Sequence, residues 1–391
     1  MTSQLLEHKW QETKTALMEG VTGSKAKNLD VVLENTRKYL SEQATSGATM
    51  SGNVATLNRV ILPVIRRVMP TVIANELIGV QPMTGPVGQI HTLRVRYADT
   101  TTQGATNIAG GDEALSPFKI AASYSGNDAS PAKGSATATL EGSAGKKLNV
   151  QILKQVVEAK SRKLSARWTF EAAQDAQAQQ GIDIEAEIMA ALAQEITAEI
   201  DQEILTSLRS LAGSAAGAFD QSAVSGTATF VGDEHAALAV LINQQANLIA
   251  QRTRRGAGNY AVVSSEALTI LQSATTSAFA RSTEGVFEAP TNTKFVGTLN
   301  NSMRVYVDGY AATGTDVLVG YKGSSEADAP AFYCPYIPLM SSGVVLDPST
   351  FEPVVSFLTR YGYVELSNTA SSLGNAADYL ARISISNVSF K

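Results

Sequence analysis

The sequence has little of the chemistry that enzymes and metal proteins use. It contains one cysteine, Cys334, so the chain can form no internal disulfide framework and no cysteine-rich zinc site. Its three histidines, His8, His91 and His235, are far apart, and none belongs to an HExxH pair. There is no GxSxG motif, and no GxGxxG motif follows a strand. The sequence therefore predicts no catalytic site, no metal and no cofactor.

Charged residues and long apolar runs are also scarce. Only 17% of the residues are charged, against a typical ~25%, which suggests that much of the surface is buried against other copies. The net charge of -5 argues against wrapping of nucleic acid. The most apolar early stretch, 60–80, is interrupted by Arg66, Arg67, Pro63 and Pro70, which excludes a membrane span. We expect a soluble protein of a reducing compartment, with enough apolar residues for two or three domains.

What the sequence does contain is a separation of charge between residues 154 and 209. Five basic residues come first: Lys154, Lys160, Arg162, Lys163 and Arg167. Nine acidic residues follow before the next cation, Arg209: Glu171, Asp175, Asp183, Glu185, Glu187, Glu195, Glu199, Asp201 and Glu203. Because blocks of like charge repel internally, each needs an external partner. A basic arm on a neighbour's acidic helix makes a head-to-tail contact that closes into rings, so the pattern predicts an assembly subunit.

The contact between copies is expected to use charges from both blocks and from an earlier strand. These residues are Arg94, Arg96, Lys160, Arg162, Lys163, Arg167, Glu185, Glu195, Glu199 and Glu203. The acidic residues have a plainer interpretation as a solvated helix face, although no lysines four residues on compensate them. The basic strand could instead bind DNA, but its aromatics, Trp168 and Phe170, are predicted on the opposite face.

The periodicity of apolar residues predicts a mixed α+β chain. Residues 1–52 are expected to form an appendage with two short amphipathic helices, and 53–80 a bent helical segment. Alternation predicts strands at 89–97 and 163–170, and these would make a long extended hairpin around the polar tract 100–147. Such a hairpin suits a protruding arm, whereas the tract itself is too polar to pack well.

The longest predicted helix covers 182–211. Its apolar residues recur every four positions from Ile184 to Leu208, so the stripe drifts by ~40° per step and winds around the helix. A second amphipathic helix is predicted at 234–252. Further strands are predicted at 260–263, 304–307, 317–321, 331–337, 354–363 and 381–390. Cys334 is expected to be a packed core thiol and His91 a structural or surface histidine.

Short motifs run in order between Arg66 and Gly362. They are Arg66-Arg67 with Pro70, Gly79-Val-Gln-Pro-Met83, Val156-Val-Glu-Ala-Lys-Ser-Arg-Lys-Leu164 with Ala172-Ala-Gln-Asp175, Gly258-Asn259-Tyr260, Arg304-Val-Tyr306, Gly320-Tyr-Lys-Gly323, Tyr333-Cys-Pro-Tyr336 and Thr359-Arg-Tyr-Gly362. Together they resemble the major capsid proteins of contractile-tailed phages of the T-even type.

The resemblance implies the tailed-phage major capsid fold (HK-type), which is α+β. Its parts are an N-terminal arm, an extended loop, a peripheral domain with a long spine helix, and an axial domain. On this chain they would be 1–52 (arm or propeptide), 53–83 (arm to peripheral domain), 84–170 (extended-loop hairpin), 171–232 (peripheral domain, spine helix 182–212), 233–330 (axial domain) and 331–391 (completion of the peripheral domain). The long relatives carry an inserted domain in the extended-loop region, and here the tract 100–147 leaves no room for one.

The same resemblance implies hexameric capsomers that tile an icosahedral head around double-stranded DNA. The expected partners are copies of the chain itself and the vertex, portal, scaffold and decoration proteins of the same phage. Packaged DNA would be contacted without sequence specificity, with no membrane and no cofactor involved. The expected location is the virion, after assembly in the cytoplasm of the host bacterium. Alternatives are the paralogous pentameric vertex protein, a cellular nanocompartment shell of the same fold, and, more remotely, a soluble enzyme.

The resemblance also implies trimming by a prohead protease. That protease cleaves after a Glu that is preceded by Leu or Ile two positions earlier, and Leu40-Ser41-Glu42 matches. Cleavage after Glu42 is therefore expected, directly before a linker of small residues. A chance match is the alternative, because Leu5-Leu6-Glu7 comes close to the same pattern.

Overall fold

The structure is a computed structural model of the chain. It describes residues 10, 14–15, 18, 26–35, 73–101, 109–112, 114, 124–126, 134–142, 144–180, 184–224, 231–253, 255–274, 279–281, 294–300, 302–312, 314–326, 328–350, 352–366 and 376–388. The chain packs as two units. Unit 1 comprises Met1–Gly88, Val157–Thr206 and Phe332–Val364, and unit 2 comprises Gln89–Val156, Ser207–Ala331 and Glu365–Lys391.

Helices and strands alternate along the described residues. The helices are α1 (26–35), α2 (Ala74–Leu77), α3 (Thr137–Leu140), α4 (Phe170–Gln180), α5 (Ile184–Leu211), α6 (Gln221–Val224), α7 (Val231–Thr253) and α8 (Ser265–Ser273), with a 3-10 turn at Ala376–Tyr379. The strands are β1 (Gly79–Val80), β2 (Val87–Tyr97), β3 (Leu148–Glu158), β4 (Lys160–Arg167), β5 (Gly217–Asp220), β6 (Tyr260–Ser264), β7 (Phe279–Arg281), β8 (Lys294–Leu299), β9 (Met303–Asp308), β10 (Val317–Gly320), β11 (Ala331–Ser341), β12 (Val345–Leu346), β13 (Pro353–Glu365) and β14 (Leu380–Ser386). The predicted α+β class is confirmed.

Unit 1 is built on a five-stranded sheet. Its strand order is β1-β11-β13-β12, and β4 also pairs with β13. Strand β1 runs parallel to β11, whereas β4 runs antiparallel to β13 from the pair Val354 and Arg167 to the pair Tyr361 and Lys160. Strand β11 is buried along almost its whole length, as expected for a strand inside a sheet with both faces covered. The predicted strands at 331–337 and 354–363 are confirmed and are longer than expected.

Helix α5 carries the winding apolar stripe that its sequence predicts. Ile184 and Ile188 are half-buried, whereas the later members of the stripe, from Leu192 to Leu208, are buried. The first turn carries acidic residues and the last carries Arg209, which suits the helix dipole. The helix ends before Gly213, whose φ of 70° favours glycine.

Unit 2 contains a seven-stranded sheet in the order β5-β14-β10-β6-β9-β8-β7. The central strands β6, β9 and β10 confirm the strands predicted at 260–263, 304–307 and 317–321. Helices α7 and α8 supply apolar side chains such as Leu238, Ile242 and Ile270 to one core with these strands. Burial of that core stabilises the unit mainly through the hydrophobic effect.

The segment 331–391 does not complete a single domain as expected. Strands β11 and β13 belong to the sheet of unit 1, but β14 pairs with β10 and β5 in unit 2. A run of alternating apolar residues identifies a strand, but it carries no information about which sheet the strand joins. The predicted strand at 381–390 is confirmed as β14, and its last residues, 389–390, lie outside the described part of the chain.

The predicted hairpin has the wrong second strand. Strand β2 is hydrogen-bonded to β3 in a two-stranded sheet, the β2–β3 ribbon, and β4 joins β13 instead. Ala159 separates β3 from β4, and its N–H donates to the carbonyl of Pro86. The alternation at 163–170 is a real strand up to Arg167, after which Phe170 begins α4. The alternation of apolar residues therefore predicted that β4 is a strand, but it did not predict that β4 pairs with β13.

Some described residues of the tract 100–147 pack in a small core, contrary to the expectation from its polar composition. Tyr97, Ala114 and Tyr124 are buried together, and the two tyrosine rings lie 4.5 Å apart between centroids. The Tyr124 hydroxyl accepts from the backbone N–H of Asp99 at 3.2 Å and donates to the carbonyl of Lys147. Tyr124 of the tract and Tyr97 at the end of β2 therefore build a small core, because the hydroxyl of the buried Tyr124 ring finds partners.

The expected N-terminal appendage is wrong for residues 26–35. Helix α1 buries Leu29, Val32 and Leu33 in unit 1, so this part of 1–52 belongs to a core. Its amphipathic pattern, which predicted a short helix, is confirmed.

Candidate assembly interface

Strand β4 presents its basic residues on two different faces. Arg162, Leu164 and Ala166 are half-buried and alternate with the exposed Lys163, Ser165 and Arg167. Because side chains alternate along a strand, Arg162 points to the opposite face from Lys163 and Arg167. The basic block therefore has an inner member and outer members.

The inner member, Arg162, binds two carboxylates of α5. Its Nη1 lies 2.6 Å from Glu199 Oε2 and its Nη2 lies 2.5 Å from Glu203 Oε2. Glu199 and Glu203 are four residues apart, so they lie on one side of the helix and reach the same guanidinium. Such charge-assisted bonds from the fixed fork of an arginine are stronger than bonds between neutral groups.

Tyr361 of β13 completes this cluster. Its hydroxyl accepts from Arg162 Nε at 2.6 Å and donates to the Glu203 carboxylate. The ring packs on Tyr333, with centroids 5.3 Å apart. Tyr361 is missing from the predicted contact residues, although it lies in the motif Thr359-Arg-Tyr-Gly362. The antiparallel pairing of β13 with β4 brings it to Arg162.

The cluster holds its charges firmly. Burial opposes ionisation of Glu203, but the hydrogen bonds from Tyr361 and Arg162 outweigh it and lower the pKa of the carboxyl. Burial also disfavours the charged form of Arg162, yet the bonds to Glu203 and Tyr361 raise the pKa of the guanidinium. Burial and the bond to Glu203 raise the pKa of the Tyr361 hydroxyl. At neutral pH Glu203 and Arg162 are therefore charged, and Tyr361 keeps its proton.

The premise that each charged block needs an external partner is wrong for Arg162, Glu199 and Glu203. The fold brings them together inside one subunit, which the separation of the blocks along the sequence conceals. Arg162 of β4 and the two carboxylates of α5 lie on neighbouring elements of unit 1, so these three charges compensate within the chain.

The other predicted contact residues are placed differently. Lys160, Lys163 and Glu195 are exposed, and within the described residues neither Lys163 nor Glu195 forms an ion pair. Arg167 is 72% exposed and lies 3.7 Å from Glu352. Glu185 is half-buried in the first turn of α5.

Arg94 and Arg96, which are also predicted contact residues, lie on β2. Arg96 is half-buried, whereas only the backbone of Arg94 is described. Glu42, the predicted cleavage residue, lies outside the part of the chain that the structure describes.

The β2–β3 ribbon carries an exposed apolar row that the sequence-based prediction missed. Leu148, Val150, Ile152 and Val156, which we call the β3 strip, are between 51% and 66% exposed. They occupy alternate positions of β3, so they share one face, with Lys154 in the same row. The alternation Leu-Asn-Val-Gln-Ile at 148–152 was the signal for it. Contiguous exposed apolar rows mark interaction surfaces.

A second exposed apolar segment is the β12 tip, which consists of Val344, Val345 and Leu346. It follows Gly343, whose φ is 71°. Asp347 ends it with a turn, since its Oδ1 accepts from the backbone N–H of Ser349 at 2.9 Å.

Chemistry of other kinds is not evident in the described residues. No group of His, Cys, Asp and Glu there could hold a metal ion, and no helix there is long and apolar enough to cross a membrane. Cys334 is buried, as predicted, and burial raises the pKa of its thiol to about 12. A thiol with such a pKa stays protonated and unreactive at neutral pH.

Comparison with known proteins identifies the family. The family model "Major capsid protein Gp23" matches residues 54–385. The chain is 31% identical to the major capsid protein of Vibrio phage KVP40 over 90% of this chain and 85% of that protein. It is 30% identical to the major capsid protein of Enterobacteria phage T4 over 83% of this chain and 78% of that protein.

Two solved structures are also similar to the chain. One is the capsid of Myoviridae phage XM1, with a TM-score of 0.44 at 10% identity over 80% of this chain and 91% of that one. The other, from Microbacterium phage Oxtober96, has a TM-score of 0.46 at 11% identity over 80% and 90%.

The matches define the class first: this is a structural subunit of a phage capsid shell. Within that class, the chain belongs to the Gp23 family of major capsid proteins. The resemblance to the capsid proteins of T-even-type myoviruses, drawn from short motifs, is confirmed.

Proposed function

We propose that the chain assembles into hexameric capsomers that tile an icosahedral head around double-stranded DNA. The observation that carries this is the β3 strip, an apolar row exposed on a ribbon that has two strands within the described residues. A two-stranded ribbon is at best marginally stable alone, and its apolar face needs a cover. In a capsid subunit, the available cover is a neighbouring copy. We infer that the chain catalyses no reaction of its own.

The strip supplies the energy of contact. Each of its four side chains still exposes half or more of its surface, so a neighbour would gain on the order of 1 kcal/mol from covering each one. Repeated around a ring, these contributions exceed those of single surface ion pairs, which are ~0–1 kcal/mol.

Charge then sets the register between copies. We propose that Lys160, Lys163 and Arg167 of β4, with Arg94 and Arg96 of the ribbon, face Glu185 and Glu195 of the neighbour's α5. Glu199, Glu203 and Arg162 already compensate one another, so their contribution to a contact between copies is weaker. Complementary charges at an interface favour one orientation and accelerate encounter more than they raise affinity.

The proposed layout follows the capsid fold. The β2–β3 ribbon is the extended loop, unit 1 corresponds to the peripheral domain with α5 as its spine helix, and 233–330 forms the axial domain. The extended loop then runs from residue 84 to the end of β3, and β4 is part of the peripheral sheet. The vertex, portal, scaffold and decoration proteins of the phage are the further proposed partners. Assembly would take place in the host cytoplasm, and packaged DNA would be contacted without sequence specificity.

Charge reversal on the outer face of β4 tests the contact. The double variant Lys163→Glu and Arg167→Glu should remain folded, because both side chains are exposed, yet fail to form capsomers in sedimentation experiments. The control is Lys294→Glu, an equally exposed lysine on β8. Normal capsomers from the double variant would refute the proposed role of β4.

Cleavage after Glu42 is proposed on the strength of Leu40-Ser41-Glu42. In DNA-filled heads the subunit should begin at Gln43, and intact mass spectrometry measures this directly. A mass that includes Met1 would refute it.

A further inference from the structure

Both strands of the β2–β3 ribbon begin or end in unit 1. The chain leaves unit 1 after Gly88, near the start of β2, and returns to it at Val157, near the end of β3. The residues on the unit 1 side of these two crossings therefore decide where each strand of the ribbon is attached. We call Met83, Pro86, Val157, Ala159 and Gly362 the ribbon root.

The segment before β2 is bonded to the five-stranded sheet of unit 1. The N–H of Gln81 donates to the carbonyl of Tyr333, and the N–H of Met83 donates to that of Pro335, both at 3.0 Å. Tyr333 and Pro335 belong to β11, which is buried along almost its whole length. The chain thus approaches β2 from a fixed position.

The segment after β3 is bonded to the same sheet and to the start of the ribbon. Strand β4 is paired with β13 from Lys160, opposite Tyr361, onward. Just before it, the N–H of Ala159 donates to the carbonyl of Pro86 at 2.9 Å. This bond joins the residue that follows β3 to the residue that precedes β2. Both strands are therefore tied to unit 1, and to each other, at the ribbon root.

Gly362 of β13 packs closely against the end of β3. A Cβ at Gly362 would lie 2.4 Å from Val157 Cγ1, 3.2 Å from the carbonyl oxygen of Glu158 and 3.4 Å from Met83 Cε. Val157 is 2% exposed, and a valine side chain is stiff at χ1, so its methyl group has no free space to turn into. Any side chain at position 362 would therefore displace the end of β3.

Gly88, at the start of β2, is a less constrained glycine of the same region. A Cβ there would meet Met83, at 3.2 Å from Sδ and 3.4 Å from Cγ. A methionine side chain is flexible and adapts to such a change. Neither Gly88 nor Gly362 has a positive φ, so the backbone at both positions suits alanine. Gly88 is thus a matched control for Gly362.

We propose that Gly362 is a positioning residue for assembly: its contact with Val157 fixes the direction in which the β2–β3 ribbon leaves unit 1. The β3 strip is then offered to a neighbouring copy in one orientation. A surface that is already ordered loses less conformational entropy on association than a mobile one, so the fixed root favours the contact. This inference rests on the proposed role of the β3 strip in assembly.

The first test measures the ribbon in single subunits by pulsed electron paramagnetic resonance. Spin labels are attached to cysteines introduced at Asn149 of β3 and Ser165 of β4, both exposed, and the buried thiol of Cys334 stays unlabelled. The unsubstituted protein should give one narrow distance distribution. The variant Gly362→Ala should shift this distribution or broaden it about twofold, because overpacking forces the backbone to move. Gly88→Ala should leave it unchanged.

A compensating change separates positioning from general damage. Adding Val157→Ala to Gly362→Ala removes the methyl groups that the new Cβ meets, so the double variant should recover the narrow distribution. Val157→Ala alone removes the contact without a clash and should also broaden the distribution, which tests the root even where Gly362→Ala does not fold. Unchanged distributions in these single variants, or no recovery in the double variant, would overturn the proposal.

The second test follows capsomer formation by sedimentation velocity. Gly362→Ala should weaken it on the order of tenfold, and the double variant should restore it, whereas Gly88→Ala should assemble normally. Normal assembly of Gly362→Ala despite an altered distance distribution would refute the role of the β3 strip and leave the positioning of the ribbon intact. An unsubstituted protein that forms no capsomers would refute the proposed function, and the distance measurement would still decide the role of Gly362.

Discussion

At the scale of single residues, one cluster of side chains links three elements of unit 1. Arg162 of β4, Glu203 of α5 and Tyr361 of β13 meet in one hydrogen-bonded cluster. Tyr361 is 5% exposed, so its hydroxyl has little access to water if its partners are lost. The cluster therefore contributes more than an ion pair on the surface would.

The variant Tyr361→Phe should destabilise the protein by about 1 kcal/mol, because Arg162 Nε loses its acceptor and Glu203 loses a donor. Urea unfolding measures this difference in the free energy of unfolding. The control is Tyr310→Phe, which removes the hydroxyl from an exposed ring. Equal stability of the two variants would show that the Tyr361 hydroxyl contributes nothing to the stability of the cluster.

The lowered pKa of Glu203 makes the same cluster sensitive to acid. Between its folded and unfolded pKa values, the Glu203 carboxyl binds fewer protons in the folded state than in the unfolded chain. The free energy of unfolding therefore rises with pH between these two values. Its contribution is present above the unfolded value of ~4.3 and is lost as pH falls through the folded one.

The variant Glu203→Gln should therefore flatten part of the acid side of the stability curve, measured as unfolding free energy between about pH 3 and 7. The exposed Glu195→Gln should leave the curve unchanged. Curves that coincide for both variants would contradict the assignment.

At the scale of elements, the β2–β3 ribbon is the part that most needs a neighbour. Replacing Val150 and Ile152 with Ser should not affect folding, since both side chains are exposed, but it should weaken capsomer formation. The matched control replaces Asn149 and Gln151 with Ser; these are exposed residues of the same strand on its other face. Sedimentation velocity compares the two. Identical assembly would remove the strip from the interface.

The elements also show what could be read from the sequence. The stripe of α5, the alternation in β4 and β13 and the apolar run of β6 follow from the local sequence pattern, and all were predicted close to their observed bounds. The partner of β2 was not, because several alternating runs could pair with it and only tertiary packing selects β3. The burial of α1 was missed for the same reason: its asparagines bond to carbonyls far along the chain, at residues 80, 83 and 336.

For the candidate site, too, the sequence indicated which residues carry charge but not which of them meet. Of the charged residues that the sequence singles out, Arg162, Glu199 and Glu203 meet within one subunit, and the use of the others between copies stays a prediction. Whether they meet within a chain or between chains depends on the pairing of β4 with β13, which periodicity does not encode. Tyr361 is uncharged, so the search for charged residues passed over it. Its hydrogen bond to Arg162 depends on the pairing of β13 with β4.

At the scale of the whole molecule, membership of the Gp23 family accounts for the low charge content. A subunit whose surface is largely covered by other subunits of a shell needs fewer charged residues for solubility than a monomer of this size. The exposed apolar β3 strip and β12 tip fit the same description. Cohesion would come from many modest contacts repeated over the shell.

The central claim, assembly into hexameric capsomers, is tested most directly by negative-stain electron microscopy of the purified full-length protein. We expect shells, tubes or sheets in which the capsomers have sixfold symmetry. Folded protein that remains as dispersed single subunits, even at high protein concentration, would contradict assembly into hexameric capsomers.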